Sequence, residues 1–178
     1  MYKILKRFKH YILISLVSLA AVGCGIKYGF QGGSIPEGMT TYTVLYFENL
    51  APLVYTPLSQ NFTEALKERI RTQSRLSQVN NDGEATFEGV ITGYSIGPSG
   101  PISGVSDRSE NSRLTITVKV KYTNKLDPTG ESDFEQSFSQ FRDFPGADVT
   151  RYEAEINADI VKMLTEDIFN KAFDNWDK

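Results

Sequence analysis

Ser112-Arg113-Leu114-Thr115-Ile116-Thr117-Val118-Lys119-Val120-Lys121-Tyr122-Thr123 decides the fold. Leu114, Ile116, Val118, Val120 and Tyr122 alternate strictly with Arg113, Thr115, Thr117, Lys119 and Lys121. That period of two belongs to a β-strand with one buried and one wet face. Asp127-Pro128-Thr129-Gly130 follows and predicts a turn into a partner strand over 132–141. Phe134 and Phe138 are expected on the partner's buried face. Upstream, residues 86–96 predict another strand, with Val90, Tyr94 and Ile96 on one face. Gly89 and Gly93 in its interior signal a bulge or a close backbone approach. The Gly-, Ser- and Pro-rich stretch 97–112, carrying Arg108, is a long loop, of a length that serves contacts or is simply disordered.

Outward from this centre the pattern changes. Residues 40–47 are aromatic and β-branched, predicting a strand, and 48–55 is a loop. Thr56 is expected to cap a helix that has Pro57 at its first position and runs to about residue 74. Phe62, Ala65, Leu66, Arg69 and Ile70 form its inward stripe; Glu64, Lys67, Glu68 and Arg71 face water. A short strand over 76–79 and an Asn80 to Gly83 turn follow. The last helix starts at a Thr150/Glu153 capping box and runs to about residue 174, with Tyr152, Ile156, Ile160, Met163, Leu164 and Ile168 inward. The order β-α-(β)-β-β-β-α predicts an α+β fold: a two-layer sandwich with two amphipathic helices packed on one mostly antiparallel sheet of about four strands.

The first 23 residues read differently. Lys3, Lys6, Arg7 and Lys9 precede an apolar run over 11–22 that is too short to span a bilayer, then Ala20-Ala21-Val22-Gly23-Cys24. Basic, apolar and small-residue segments in that order make a signal peptide, removed on export. Cysteine directly after the small residue makes the site a lipobox, so Cys24 is the expected lipidation site. Gly25 favours retention in the outer membrane, facing the periplasm, and acyl chains there form a stable anchor. The organisation expected is a signal peptide over 1–23, a lipid-anchored tether over 24–39, and one domain over 40–178.

Composition then excludes whole classes. Four of the 19 basic residues lie in the signal segment, which leaves 15 against 22 acidic ones, a net charge of about −7. A general nucleic-acid binder would be basic. The one histidine, His10, and the one cysteine, Cys24, both fall at the N-terminus, so residues 25–178 contain neither. Serine triads, Cys-His dyads, His-based metal sites and internal disulfides are excluded from the domain. No enzyme, cofactor or metal is expected. Glu153, Glu155 and Asp159 on the last helix read as a solvated face.

The chain resembles the LptE type of lipopolysaccharide-assembly lipoprotein, in the form found in the Bacteroidetes group. The resemblance rests on Cys24-Gly25 with Tyr28 and Phe30; Ser34-Ile35-Pro36; the strand over 43–47; Asn49 to Pro52; and the helix entry over 58–66. It continues through Phe87 to Tyr94 and Arg113 to Val120. It implies two helices on a four-stranded sheet. It also implies a role that is not catalytic: a plug inside a large outer-membrane β-barrel of the LptD type, which it helps to fold, with lipopolysaccharide as ligand.

The residues offer their own candidates for that ligand. Arg113, Lys119 and Lys121 project from one face of one strand, alternate positions being about 6.6 Å apart. Phosphates of a lipid headgroup could meet them; so could Asp133 and Glu135 of the returning strand, as ion pairs. Arg108 is the fourth candidate. Tyr28, Phe30, Tyr42, Tyr46 and Tyr55 suit either a protein interface or the core. A different lipid-transport or secretion complex, with this chain as an accessory subunit, is the alternative reading.

Overall fold

The computed structural model describes residues 35–53, 55–99 and 111–173. The expected signal peptide over 1–23, Cys24, Tyr28, Phe30 and Arg108 lie outside these residues. Within them the elements are β1 (Thr41–Val44), β2 (Glu48–Asn49), α1 (Leu58–Gln73), β3 (Ser77–Gln78), β4 (Ala85–Pro98), β5 (Asn111–Asn124), β6 (Phe134–Pro145) and α2 (Glu153–Phe173). They make the α+β two-layer sandwich that the sequence predicts.

The 112–123 stretch forms most of β5, which lies between β4 and β6 in an antiparallel meander. Its aliphatic row and Tyr122 are shut away from solvent beneath the helices. Tyr122 packs on Phe87 at 4.9 Å and on Phe134 at 5.4 Å, and Phe173 of α2 closes the cluster. Phe134 and Phe138 face the core as expected, but β6 runs on to bury Phe144 as well.

The sheet holds six strands, more than the expected four, and it is mixed. Two of the six, β2 and β3, are only two residues long. β1 runs parallel to both β3 and β4, and β2 parallel to β4. Parallel pairing at this end follows from α1, which carries the chain back over the sheet between β1 and the later strands, as parallel connections require.

Gly89 and Gly93 of β4 act as expected, and one overturns a detail. Register slips between Ile91 and Gly93, so that Thr92 is the extra residue of a bulge. Before it, Ala85, Phe87 and Ile91 face the helices; after it, Tyr94 does. A slip of one residue exchanges the two faces. Val90 therefore lies on the open face opposite Lys119, not in the core with Tyr94. Ile96 stays on the helix side but is 37% exposed. Gly89 is the close approach: a Cβ there would stand 2.2 Å from the Lys119 carbonyl oxygen and 2.7 Å from the Phe47 ring.

Helix entries differ from the sequence reading too. Pro57 stands at the N-cap of α1, and no side chain caps that end. The hydroxyl of Thr63, inside the helix, accepts from the Phe47 backbone N–H at 3.1 Å and donates to the Ser59 carbonyl. It fixes the helix to the segment that follows β1. At α2 the Thr150 backbone N–H is held by Asp148 at 2.9 Å, while Glu153 Oε1 accepts the Tyr94 hydroxyl instead of closing a capping box. Arg69, with only 12% of its side chain exposed, clamps the helices together. It donates to the Lys162 carbonyl at 3.0 Å and lies 3.5 Å from Glu166.

Candidate functional site

Both helices cover the same side of the sheet. The opposite side, carried by β4, β5 and β6, is open, and β5 sends Arg113, Thr115, Thr117, Lys119 and Lys121 onto it. Three of the four predicted ligand-facing cations are thus brought to one surface. None of the three is free. Arg113 donates two hydrogen bonds to Asp143, at 2.7 and 3.1 Å, and its guanidinium lies 3.8 Å above the Phe141 ring. Lys121 donates to Glu88 at 2.7 Å. Lys119 pairs with Glu135 at 2.5 Å.

These contacts set the local electrostatics. The hydrogen bond to Asp143 holds the Arg113 guanidinium above its usual range, and Asp143 is lowered in turn. The bond to Glu88 raises Lys121, and the bond to Lys119 lowers Glu135. Of the two carboxylates named from sequence, Glu135 pairs and Asp133 does not: its Oδ1 accepts the Asn124 backbone N–H at 2.7 Å. Sequence reading missed Glu88 and Asp143. Both sit on the same-face alternation as the cations, so the signal was present, but the strand register had to be known before they could be matched.

Beside the lysines the surface dips into a cleft of about 390 Å3. Leu45, Tyr46 and Val90 form an apolar side, and Glu48, Glu88, Glu135, Lys119 and Lys121 a charged side. Leu45, Tyr46, Leu50 and Leu53 are all exposed, within nine residues of one another. Leu45 and Tyr46 line the cleft together, and exposed apolar side chains brought together on a surface mark a contact site. The described tyrosines divide accordingly. Tyr42 is core, its hydroxyl bonded to the Lys67 carbonyl. Tyr55 is half-buried and stacks on Tyr94. Tyr46, 60% exposed, is the one left for a partner.

A second concavity, of about 560 Å3, lies between the helices over Leu58, Ala65 and Val161. At its floor Asn157 donates to the Tyr94 hydroxyl at 3.1 Å and to the Glu153 carbonyl at 2.7 Å. Burial holds the Tyr94 phenol far above its ordinary value, so it stays protonated and donates. With the Tyr94 hydroxyl donating to Glu153 at 2.8 Å, this joins helix to sheet. Asp159, expected on a solvated face, lies 3.5 Å from Arg142 of β6. Among the described residues no cluster of His, Cys, Asp and Glu could hold a metal, and no helix is long and apolar enough to cross a membrane.

Comparison with known proteins adds a family. The model of the family LptE, described as lipopolysaccharide-assembly, matches residues 39–172. No curated protein matches the chain. Several solved structures share features of the fold at low identity. A minor lipoprotein from Acinetobacter baumannii is 9% identical with a TM-score of 0.48, covering 75% of this chain and 91% of that one. Uncharacterized lipoprotein B from Nitrosomonas europaea is 18% identical with a TM-score of 0.42, covering 77% and 88%. Rare lipoprotein B from Shewanella oneidensis is 10% identical with a TM-score of 0.39, covering 73% and 89%.

Proposed function

The chain belongs to the lipopolysaccharide-assembly family LptE, and from that membership we propose that it is an outer-membrane lipoprotein anchored through Cys24. It seats in a large β-barrel partner of the LptD type, assists the folding of that barrel, and aids the insertion of lipopolysaccharide into the outer leaflet. The role is not enzymatic: the chain positions a partner and a lipid without making or breaking a bond.

One observation carries the reading beyond family membership: the sheet is covered by helices on one side only, and the open side is amphipathic. A solvated β-face in a free-standing protein needs only polar residues. This one also presents Tyr46, Leu45 and Phe141 beside a row of cations. Such a surface suits contact with both a protein wall and a phosphorylated lipid. Lys119, Lys121 and Arg113 are the candidate headgroup contacts, with Arg108 and the 97–112 segment directed to the barrel.

The test is to purify tagged chain from detergent-solubilised outer membranes and identify what comes with it. One large β-barrel protein in roughly equal amount supports the proposal. A second reading, an accessory subunit of another lipid-transport or secretion complex, draws on the ion pairs, which leave the cations already compensated. Recovery with inner-membrane transporter subunits and no barrel would favour it.

A further inference from the structure

The cleft on the open face has the components of an anion site, but in a closed arrangement. Lys119 and Lys121 would attract a phosphate, yet Glu135 lies 2.5 Å from the first and Glu88 2.7 Å from the second. With Glu48, the lining counts three carboxylates against two ammonium groups. In this state it repels an anion. The Leu45, Tyr46 and Val90 side has no such obstacle and is open to an alkyl chain.

We infer that Glu88 and Glu135 are built-in competitors: they occupy the two lysines until the phosphate of an amphiphilic lipid displaces them, while the alkyl part of that lipid lies on Leu45, Tyr46 and Val90. The inference rests on the proposed reading of the chain as a lipopolysaccharide-assembly protein and adds to it how the headgroup site is regulated.

Four features make the exchange feasible. All four side chains are between 40% and 53% exposed, and ion pairs in water at such positions hold weakly. Each ammonium has three donors, of which one carboxylate contact uses few. A phosphate offers more charge and more acceptor oxygens than the carboxylate it replaces. Moreover, Glu88 stands on β4 and Glu135 on β6, flanking the β5 lysines. The two can swing apart without any strand moving.

The experiment measures binding by the full-length chain in nonionic detergent. Its probes are purified lipopolysaccharide, the same lipid with its phosphates removed, and inorganic phosphate. Glu88→Gln/Glu135→Gln is expected to bind the phosphorylated lipid about threefold to tenfold more tightly than the parent, two weak surface pairs having been released. The dephosphorylated lipid should show no gain. Glu155→Gln changes net charge as much as either single change, but on α2, and should bind like the parent because a distant charge is screened. Lys119→Gln/Lys121→Gln should bind at least tenfold more weakly. Matching thermal melts exclude misfolding as the cause.

If the lysine variant weakens binding but the glutamate variant gains nothing, or Glu155→Gln gains as much, the competitor inference is overturned and the headgroup reading stands. If the lysine variant binds like the parent, the headgroup reading fails and the inference with it. If inorganic phosphate binds as tightly as the lipid, the assignment to an amphiphile is wrong.

Discussion

The two faces of β5 are separated by the thickness of one strand, yet they are built on opposite principles. On the helix side, Leu114, Ile116, Val118 and Val120 are wholly buried in the apolar and aromatic core. On the other, every charged side chain is matched to a carboxylate on an adjoining strand and remains in water. Burying apolar surface is worth ~25 cal/mol per Å2, whereas an exposed ion pair is worth little. Stability is therefore concentrated on one face, which leaves the other able to change its partners without cost to the fold.

Mutations can break that contrast, and the largest effect belongs to the buried row. Ile116→Ala should lower unfolding stability by about 2–5 kcal/mol, read from the denaturant midpoint. A loss under 1 kcal/mol would mean that the helix layer is looser than its burial indicates. Gly89→Ala tests the same layer from within the sheet. Its Cβ meets a backbone oxygen that cannot yield, so a loss of about 1–3 kcal/mol and a lower melting temperature are expected.

Tyr94→Phe removes one hydroxyl from the joint with Glu153 and Asn157. The expected cost is about 1 kcal/mol, seen as a small shift of the melting midpoint. A pH titration sharpens the comparison at the start of β1. There Glu84 accepts the Thr40 and Thr41 backbone N–H groups, at 2.5 and 3.0 Å, which lowers its carboxyl below the ordinary value. A lowered acid stabilises the fold above its unfolded-state pKa and loses that contribution as pH falls through the folded one. Parent and Glu84→Gln should thus differ in stability at neutral pH and converge under acid, below about pH 4.

Smallest of all are the open-face changes. Lys121→Ala and Arg113→Ala should leave the melting midpoint within the scatter of the parent. A clear drop in either would contradict the division of labour between the faces.

What the sequence disclosed follows the same boundary. The β5 alternation, the turn at Asp127 to Gly130 and the inward stripes of both helices depend on neighbours along the chain, and each stands where its pattern places it. The misreadings share a cause in distant pairing. Val90 went to the wrong face because the extra residue at Thr92 is visible only against the β5 register. β1 and β2 run parallel to β4 because of how α1 returns the chain, which no local pattern records. Thr56 and Thr150 have the composition of caps, but Pro57 holds the cap position of α1 and α2 begins only at Glu153. Among the site residues, Arg113, Lys119 and Lys121 were legible as cations on one face. Their partners Glu88 and Asp143 come from the neighbouring strands, and only the register joins them. Cys24 and Arg108 stay as the sequence left them, outside the described residues.

Gly89 has one more consequence. The space its absent side chain leaves is filled by Phe47, which arrives from the segment after β1, is fully buried, and lies 4.9 Å from Phe62 of α1. Positions 47 and 89 thus divide a single volume between a loop and a strand. A smaller residue at 47 would clear the ring from that space but leave the Lys119 carbonyl oxygen 2.2 Å from any Cβ at 89, so position 47 can be varied against the cavity it would open, while position 89 stays glycine whatever stands opposite it.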